Sequence, residues 1–417
     1  MTRILAHYLI ETAGDPTQAA ATMAGEQSAG TFVKVPGETP ELLAAHGARV
    51  EALSLLEAVD SPSLPGAKPP KTPAGKYQRA HVTLSFPFEN IGPSLTTLWT
   101  TVAGNLFELS AFSGLKLLDV EIPPELAAAY PLPAFGIDGT RKLAGVTDRP
   151  LFGTIIKPSV GLTPEQTADL VRTLCEAGLD FVKDDELQTN SPHSPLAKRV
   201  EAVMRVVNDY AQRTGKQVMV AFNVSGDLDD LRRGHDVVLA HGGTCIMVNL
   251  LSVGLIGVTE LRRHSQLPIH GHRAGWGLYG RHPLLGFEYP AFQKFMRVAG
   301  VDHLHVNGLH NKFCETDASV ISAARECLTP MPGVGATVMP VFSSGQSAKQ
   351  IPDTYRVMDS IDWLYLAGGG IMAHPQGPAA GVRALQQSWA AARDGITLAN
   401  YAHTHVELAG ALERFGA

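Results

Sequence analysis

Cysteine, charge and long apolar runs are all in short supply in this chain, and each shortage closes off a class of protein. The four cysteines, Cys175, Cys245, Cys314 and Cys327, include no CxxC pair. Neither a zinc ribbon nor a thiol–disulfide centre is therefore expected, and the apolar or helical surroundings of several of them suit small buried hydrophobes. No stretch reaches the roughly 18 to 20 apolar residues that a membrane span needs. The opening residues, MTRILAHYLIETAGDP, lack the charged-then-apolar order of a secretory signal, so a cytoplasmic protein with no membrane partner is expected. Charged residues make up only 18 % of the chain and leave a net charge of −6. Such a chain has no basic field for nucleic acid, and any phosphate must be recognised by a few placed groups. Small phosphorylated metabolites fit that condition better than polymers.

What is present reads as globular. Hydrophobic residues are 45 %, and 41 glycines and 28 prolines are spread along the chain rather than pooled, which suits a packed core rather than disorder. With 417 residues there is room for a barrel of about 250 residues plus a smaller partner domain. Residues 1–140 mix strand-like runs at 4–10 and 81–86 with helical stretches at 40–48 and 94–103, interrupted by a Gly, Pro and Lys-rich segment at 61–76. An α+β domain is expected there.

From residue 149 onward, short apolar runs alternate with amphipathic stretches, the pattern of repeated βα units and a parallel sheet. The runs fall at 151–156, 179–182, 217–223, 244–249, 268–272, 303–306, 337–342 and 363–367. Eight is the number that closes a (β/α)₈ TIM barrel, expected over residues 141–417. An open doubly wound sheet is the alternative that periodicity alone leaves standing. Between the runs the helical spacing is regular: in 163–177, Ala168, Val171, Leu174 and Cys175 share one face.

In such a barrel the C-terminal strand ends carry function. Here they carry Lys157, the segment Lys183-Asp184-Asp185-Glu186, Asn223, the group His270, His272 and Arg273, the pair His303 and His305, Ser343-Ser344-Gly345, and Gly368-Gly369-Gly370. Taken singly, each has a bland explanation: strand-end lysines snorkel to solvent, lone histidines are hydrogen-bonded core groups, and glycine runs make turns. Seven strands of eight ending this way would converge on one rim, and convergence is the functional signal.

Residues 183 and 185 of an extended strand project to the same side, and a turn after the strand can bring Glu186 towards them. Two carboxylates could then share a hard cation, for which Mg²⁺ is the fit. An ammonium at Lys183 would be repelled by that cation; either it points away as a spectator or it has been converted into an anion. The triple glycine opens a helical stretch whose main-chain N–H groups could cradle a phosphate, and Arg273 could clamp a second anionic group.

These residues sit in longer segments: GTIIKPSVGL at 153–162, GLDFVKDDE at 178–186, HGHRAG at 270–275, DHLHVNG at 302–308, SSG at 343–345 and AGGGIMAHPQG at 367–377. Together they resemble the large chain of RuBisCO and the RuBisCO-like proteins, and the likeness reaches into the first domain through GEQSAGT at 25–31 and AGNLFE at 103–108. The resemblance implies that Lys183 is carbamylated by CO₂ and binds Mg²⁺ with Asp185 and Glu186. It implies that Lys157 is the acid/base beside the reacting carbon and that His272 assists proton transfer. Arg273, His305 and Ser343 would hold one end of the substrate, and Gly345, Gly368 and Gly369 a phosphate. Lys312 falls where the family has a mobile lysine that closes over the substrate. Glu26, Thr31 and Asn105 would reach the site from a neighbouring subunit, which makes a homodimer or higher homo-oligomer the expected working unit.

Departures from a true RuBisCO are equally informative. This chain has Ser159 in place of a second lysine, Ile155 in place of a threonine, Phe32 in place of a tryptophan and Trp276 in place of a histidine. Carboxylation of ribulose bisphosphate is not expected. Decarboxylation of a phosphorylated 3-oxo sugar acid, such as 3-oxo-isoapionate 4-phosphate, reaches the same enediolate without a CO₂-addition pocket. An enolase/tautomerase, isomerase or transcarboxylase/hydrolase on a related sugar phosphate is the alternative, and a non-catalytic binding or regulatory member of the fold is the third reading.

Overall fold

The computed structural model describes residues 2–30, 35–71 and 74–416. The chain forms two compact units. Its strands, in chain order, are β1 (Arg3–Thr12), β2 (Arg49–Val59), β3 (Tyr77–Pro87), β4 (Phe112–Glu121), β5 (Leu151–Ile155), β6 (Phe181–Lys183), β7 (Met219–Asn223), β8 (Cys245–Asn249), β9 (Ile269–His272), β10 (Leu285–Phe287), β11 (His303–His305), β12 (Met339–Phe342) and β13 (Leu364–Leu366).

The first unit comprises Met1–Tyr130, Gly275–Phe295 and Pro332–Gly335. It holds a five-stranded sheet in the order β10-β4-β1-β3-β2. Central β1 alternates as a half-buried strand should, with Ile4, Ala6, Tyr8 and Ile10 inaccessible to solvent. Edge strand β2, RVEALSLLEAV, is largely exposed and pairs antiparallel with β3.

The second unit comprises Pro131–Ala274, Met296–Met331 and Ala336–Ala417, so it begins earlier than residue 141, the start expected for the barrel. Strands β5 to β9 and β11 to β13 close into an eight-stranded parallel barrel, and the open-sheet alternative is excluded. Each of the eight apolar runs read from the sequence overlaps a barrel strand; seven contain theirs whole, and 179–182 stops one residue short of Lys183, the last residue of β6. The amphipathic stretch after β5 is the helix Pro164–Glu176. A capping box between Thr163 and Gln166 starts it, Pro164 occupies its first turn, and Ala168, Val171, Leu174 and Cys175 are buried.

Leu151, Phe181, Met219, Ala221, Cys245, Met247, Met339, Val341, Leu364 and Leu366 fill the barrel interior, with the helix Gly136–Ala144 packed against them through Ala144. Gly153 lies on the same inward register. A Cβ there would come within 2.5 Å of Leu366 Cδ2 and 2.7 Å of the Phe181 carbonyl oxygen, so the close approach of β5 to its neighbours requires glycine. Because strand side chains alternate, counting by twos from this layer predicts what faces the barrel mouth. Ile155 leads to Lys157, Phe181 to Lys183 and Asp185, Ala221 to Asn223, Met247 to Asn249, Val341 to Ser343 and Leu366 to Gly368. One register carries both the core and the chemistry.

Candidate active site at the mouth of the barrel

Around Lys183 the alternation separates neighbouring acids. Asp184 turns outward and is buried against Arg199 of the helix Leu196–Thr214, accepting from Arg199 Nη2 at 3.0 Å and Nε at 3.2 Å. Asp185 turns inward, wholly buried, and accepts from Lys157 Nζ at 2.5 Å through Oδ2 and from the Leu187 N–H at 3.1 Å through Oδ1. Lys157 also donates to Ser159 Oγ at 2.9 Å. Ser159 therefore partners the lysine that remains.

The Lys183 side chain is inaccessible to solvent; its Nζ donates to the Asp184 carbonyl at 2.7 Å and lies 3.7 Å from Glu186 Oε2. Burial pulls this amine below the ordinary lysine value, outweighing the opposite pull of Glu186, Asp185 and Asp184. A neutral amine is the form that adds CO₂. Two asparagines hold the adjoining main chain: Asn223 Nδ2 donates to the carbonyls of Asp185 and Glu186, each at 3.1 Å, and Asn249 Nδ2 to that of Glu186 at 2.9 Å. The other side-chain atom of Asn249, Oδ1, is buried with no hydrogen-bond partner. Two carboxylates and a buried amine able to become a carbamate offer hard oxygen donors of the kind that fit Mg²⁺. The outlying cluster of His235, Asp236 and His264 fits a metal less well. His235 Nε2 accepts from the Gln266 N–H at 3.1 Å, so its Nδ1 carries the proton and donates to Asp236 at 2.9 Å.

His272 Nδ1 accepts from the Ala274 N–H at 3.2 Å, which turns Nε2 toward Glu186 Oε2 at 3.7 Å. Burial, reinforced by Lys183, holds this imidazole well below the usual histidine value. Its ring centroid is 4.5 Å from that of His305, and His305 Nδ1 lies 3.0 Å from Ser343 Oγ. Lys157, Lys183, Asp185, Glu186, His272, His305 and Ser343 are thus linked contact by contact. Gly368 joins them from β13, since a Cβ there would lie 3.8 Å from Lys157 Cε; Gly369 has open space around it.

Arg273 is not an open clamp. It donates through Nη2 to Glu315 Oε2 at 2.7 Å, and Asn307 Nδ2 donates to the same oxygen at 2.5 Å. Lys312 is exposed; its main-chain N–H donates to the Ser344 carbonyl at 3.3 Å and its Nζ lies 5.3 Å from the Phe313 ring centroid. Gly345 (φ +84°) lets that loop come close, with Lys312 N 3.4 Å from where a Cβ would sit. Glu26 and Asn105 belong to the first unit and are exposed there; Thr31 lies outside the described residues.

Asn249, Asn307 and Glu315 were not singled out in the sequence. Asn249 was accessible to the same count by twos that yields Asn223. Glu315 had no local signal, because its partner Arg273 is 42 residues away in sequence. Three of the four cysteines are buried and only Cys314 is exposed, as their sequence surroundings suggested for several of them. No helix among the described residues is long and apolar enough to cross a membrane.

Comparison with known proteins identifies the family. The family model for the ribulose bisphosphate carboxylase large chain, catalytic domain, matches residues 136–415, and that for its N-terminal domain matches residues 1–126. A 3-oxo-isoapionate-4-phosphate transcarboxylase/hydrolase of Xanthobacter autotrophicus is 55 % identical over 411 residues, covering 98 % of both chains. A 3-oxo-isoapionate-4-phosphate decarboxylase of Rhizobium etli is 44 % identical, covering 98 % of this chain and 97 % of that one. The crystal structure of a rubisco-like protein from Burkholderia fungorum superposes with a TM-score of 0.92 at 46 % identity, covering 99 % of this chain and 100 % of the other. With the two family models together matching residues 1–126 and 136–415, the chain belongs to the ribulose bisphosphate carboxylase large-chain family.

Proposed function

We propose that this RuBisCO-like chain is an enzyme that cleaves the bond to the carboxylate of a phosphorylated 3-oxo sugar acid of the 3-oxo-isoapionate 4-phosphate class. The observation that carries the reading is the Lys157–Asp185 contact beside the buried Lys183–Glu186 pair. That contact supports a reading in which Lys157 would donate a proton beside the residues that would hold a divalent cation.

Lys183 as its carbamate, Asp185 and Glu186 would hold Mg²⁺. When bound, the cation supplies Lewis-acid stabilisation of negative charge on two neighbouring substrate oxygens, worth several kcal/mol. The chain's own residues do the rest. Breaking the carbon–carboxylate bond leaves its electron pair in the 3-oxo system as an enediolate, and the carboxyl carbon departs as CO₂. Lys157 Nζ then delivers a proton to the carbon that lost it. Asp185 and Ser159 hold that ammonium in one orientation. Neutral His272 offers a ring N–H near the developing charge without adding a second cation. His305 and Ser343 position one end of the substrate, and Arg273 joins them where an anionic substrate group displaces Glu315; the main chain at Gly345, Gly368 and Gly369 takes the phosphate; Lys312 closes from its loop. Ser159 and Ile155 stand where a carboxylating enzyme has a lysine and a threonine, which favours loss of a carboxyl group over its addition. A phosphorylated substrate goes with a cytoplasmic enzyme, and Glu26, Thr31 and Asn105 acting across subunits go with a homodimer or higher homo-oligomer.

Transcarboxylation with hydrolysis is the second reading, favoured by the higher identity, 55 % against 44 %, to the relative that bears that name. Incubation of the carboxyl-¹³C substrate with Mg²⁺ and bicarbonate separates the two. Decarboxylation predicts one ¹³CO₂ per turnover, the second reading retains the label in a non-volatile product, and no consumption at all overturns both.

A further inference from the structure

Behind Ser343, a file of buried side chains runs down the barrel interior to the helix Gly136–Ala144. Ser343 Oγ is 3.0 Å from His305 Nδ1, His305 Nε2 is 2.7 Å from His270 Nε2, and His270 Nδ1 is 3.2 Å from His303 Nδ1. His303 Nε2 is in turn 2.7 Å from Thr140 Oγ1, which donates to the Gly136 carbonyl at 2.5 Å. The histidines lie on β9 and β11 at inward positions two residues apart or directly paired, His303 opposite His270.

A carbonyl oxygen can only accept, and that fixes every proton in the file. Thr140 spends its single proton on the Gly136 carbonyl, so it accepts from His303 Nε2–H. His303 Nδ1 is then an acceptor, and His270 Nδ1–H donates to it. His270 Nε2 accepts from His305 Nε2–H. His305 Nδ1 accepts from the Ser343 hydroxyl. Neighbouring Ser344 spends its own proton on Asn307 Oδ1 at 2.8 Å and so gives none to Ser343, and as an acceptor it stands 3.4 Å from Ser343 Oγ against 3.0 Å for His305 Nδ1. Burial holds all three imidazoles in the neutral form, His303 down to about 3 and the other two well below the usual value. The N-terminus of the helix bearing Thr140 is itself held, with the Phe135 and Gly136 N–H groups donating to Asp302 Oδ1 at 2.6 and 2.9 Å.

We propose that Thr140, His303 and His270 are positioning residues that set the tautomer of His305 and commit the Ser343 hydroxyl inward, leaving Ser343 Oγ only lone pairs toward the barrel mouth. A substrate group meeting Ser343 must then donate, as a hydroxyl does, whereas a phosphate or carboxylate oxygen there would find no donor. That Ser343 meets the substrate rests on the proposed reading of the site; the direction of the file does not.

Imidazole ¹⁵N NMR of the full chain reads the tautomers directly and needs no activity. The wild type should show His303 and His305 protonated at Nε2 and His270 at Nδ1. Thr140→Val removes the terminal acceptor and should shift His303 and His270 to mixed or reversed tautomers, and Thr140→Ser should restore them. With a turned-over substrate, Thr140→Val should raise KM about tenfold while leaving kcat largely unchanged, the scale of one hydrogen bond, and Thr140→Ser should return KM to the wild-type value. Nδ1–H on His305 in the wild type, an imidazolium at any of the three, or unaltered tautomers in Thr140→Val would overturn the proposal. Correct tautomers with no activity on a 3-oxo acid phosphate would instead count against the function alone.

Discussion

Lys157 Nζ and Asp185 Oδ2 are 2.5 Å apart, with the carboxylate wholly buried and the lysine side chain 37 % accessible. The ion pair thus has one dry end and one end open to the barrel mouth, the arrangement expected of a proton donor that must meet a substrate. Replacing Lys157 with Met should lower the rate of proton delivery by about 10²–10⁴-fold, measured as loss of solvent deuterium in the product. It also leaves Asp185 buried without its lysine, so stability should fall by about 1–3 kcal/mol in urea titration.

Asp184 and Asp185 are adjacent acids with opposite duties. Asp184 is a structural anion, paired with Arg199 where both side chains are nearly inaccessible, and it also accepts the Asn223 N–H at 3.0 Å. Arg199→Met strands a buried carboxylate and should cost about 3–5 kcal/mol. The double variant Asp184→Asn/Arg199→Met should recover part of that loss, a coupling that equilibrium unfolding measures.

The buried histidines tie stability to acid. Their folded-state values lie below the ordinary 6.5, at about 3 for His303, so as pH falls below about 6.5 the unfolded chain takes up protons that the folded chain refuses. Stability is then complete above the unfolded value and declines as pH drops. Each such histidine contributes a slope of about 1.4 kcal/mol per pH unit in that window. Urea unfolding at pH 7 and pH 5 should show this decline, and His303→Gln should flatten it by about one proton.

Much of the barrel was legible in the chain, because its strands are short apolar runs bounded by polar breaks, and the period of two carries the register past each strand end to Lys157, Asp185 and Ser343. Edge strand β2 was not legible: RVEALSLLEAV is rich in Ala, Leu and Glu, good helix formers, and its state is imposed by pairing with β3. Arg273 was read as an open anion clamp, but Glu315 reaches it from a distant loop. The proton order of the histidine file depends on one main-chain carbonyl, at Gly136, that no side-chain pattern announces.

The account rests on Lys183 accepting CO₂ and joining Asp185 and Glu186 as an oxygen ligand. ¹³C NMR of the protein in ¹³C-bicarbonate, with and without Mg²⁺, tests this directly, with calorimetry of Mg²⁺ binding in parallel. One carbamate resonance should appear in the wild type and strengthen with Mg²⁺, and Mg²⁺ should bind with a stoichiometry of one only when bicarbonate is present; Lys183→Met should show neither. Tight Mg²⁺ binding without CO₂, or an undiminished carbamate signal in Lys183→Met, would contradict it.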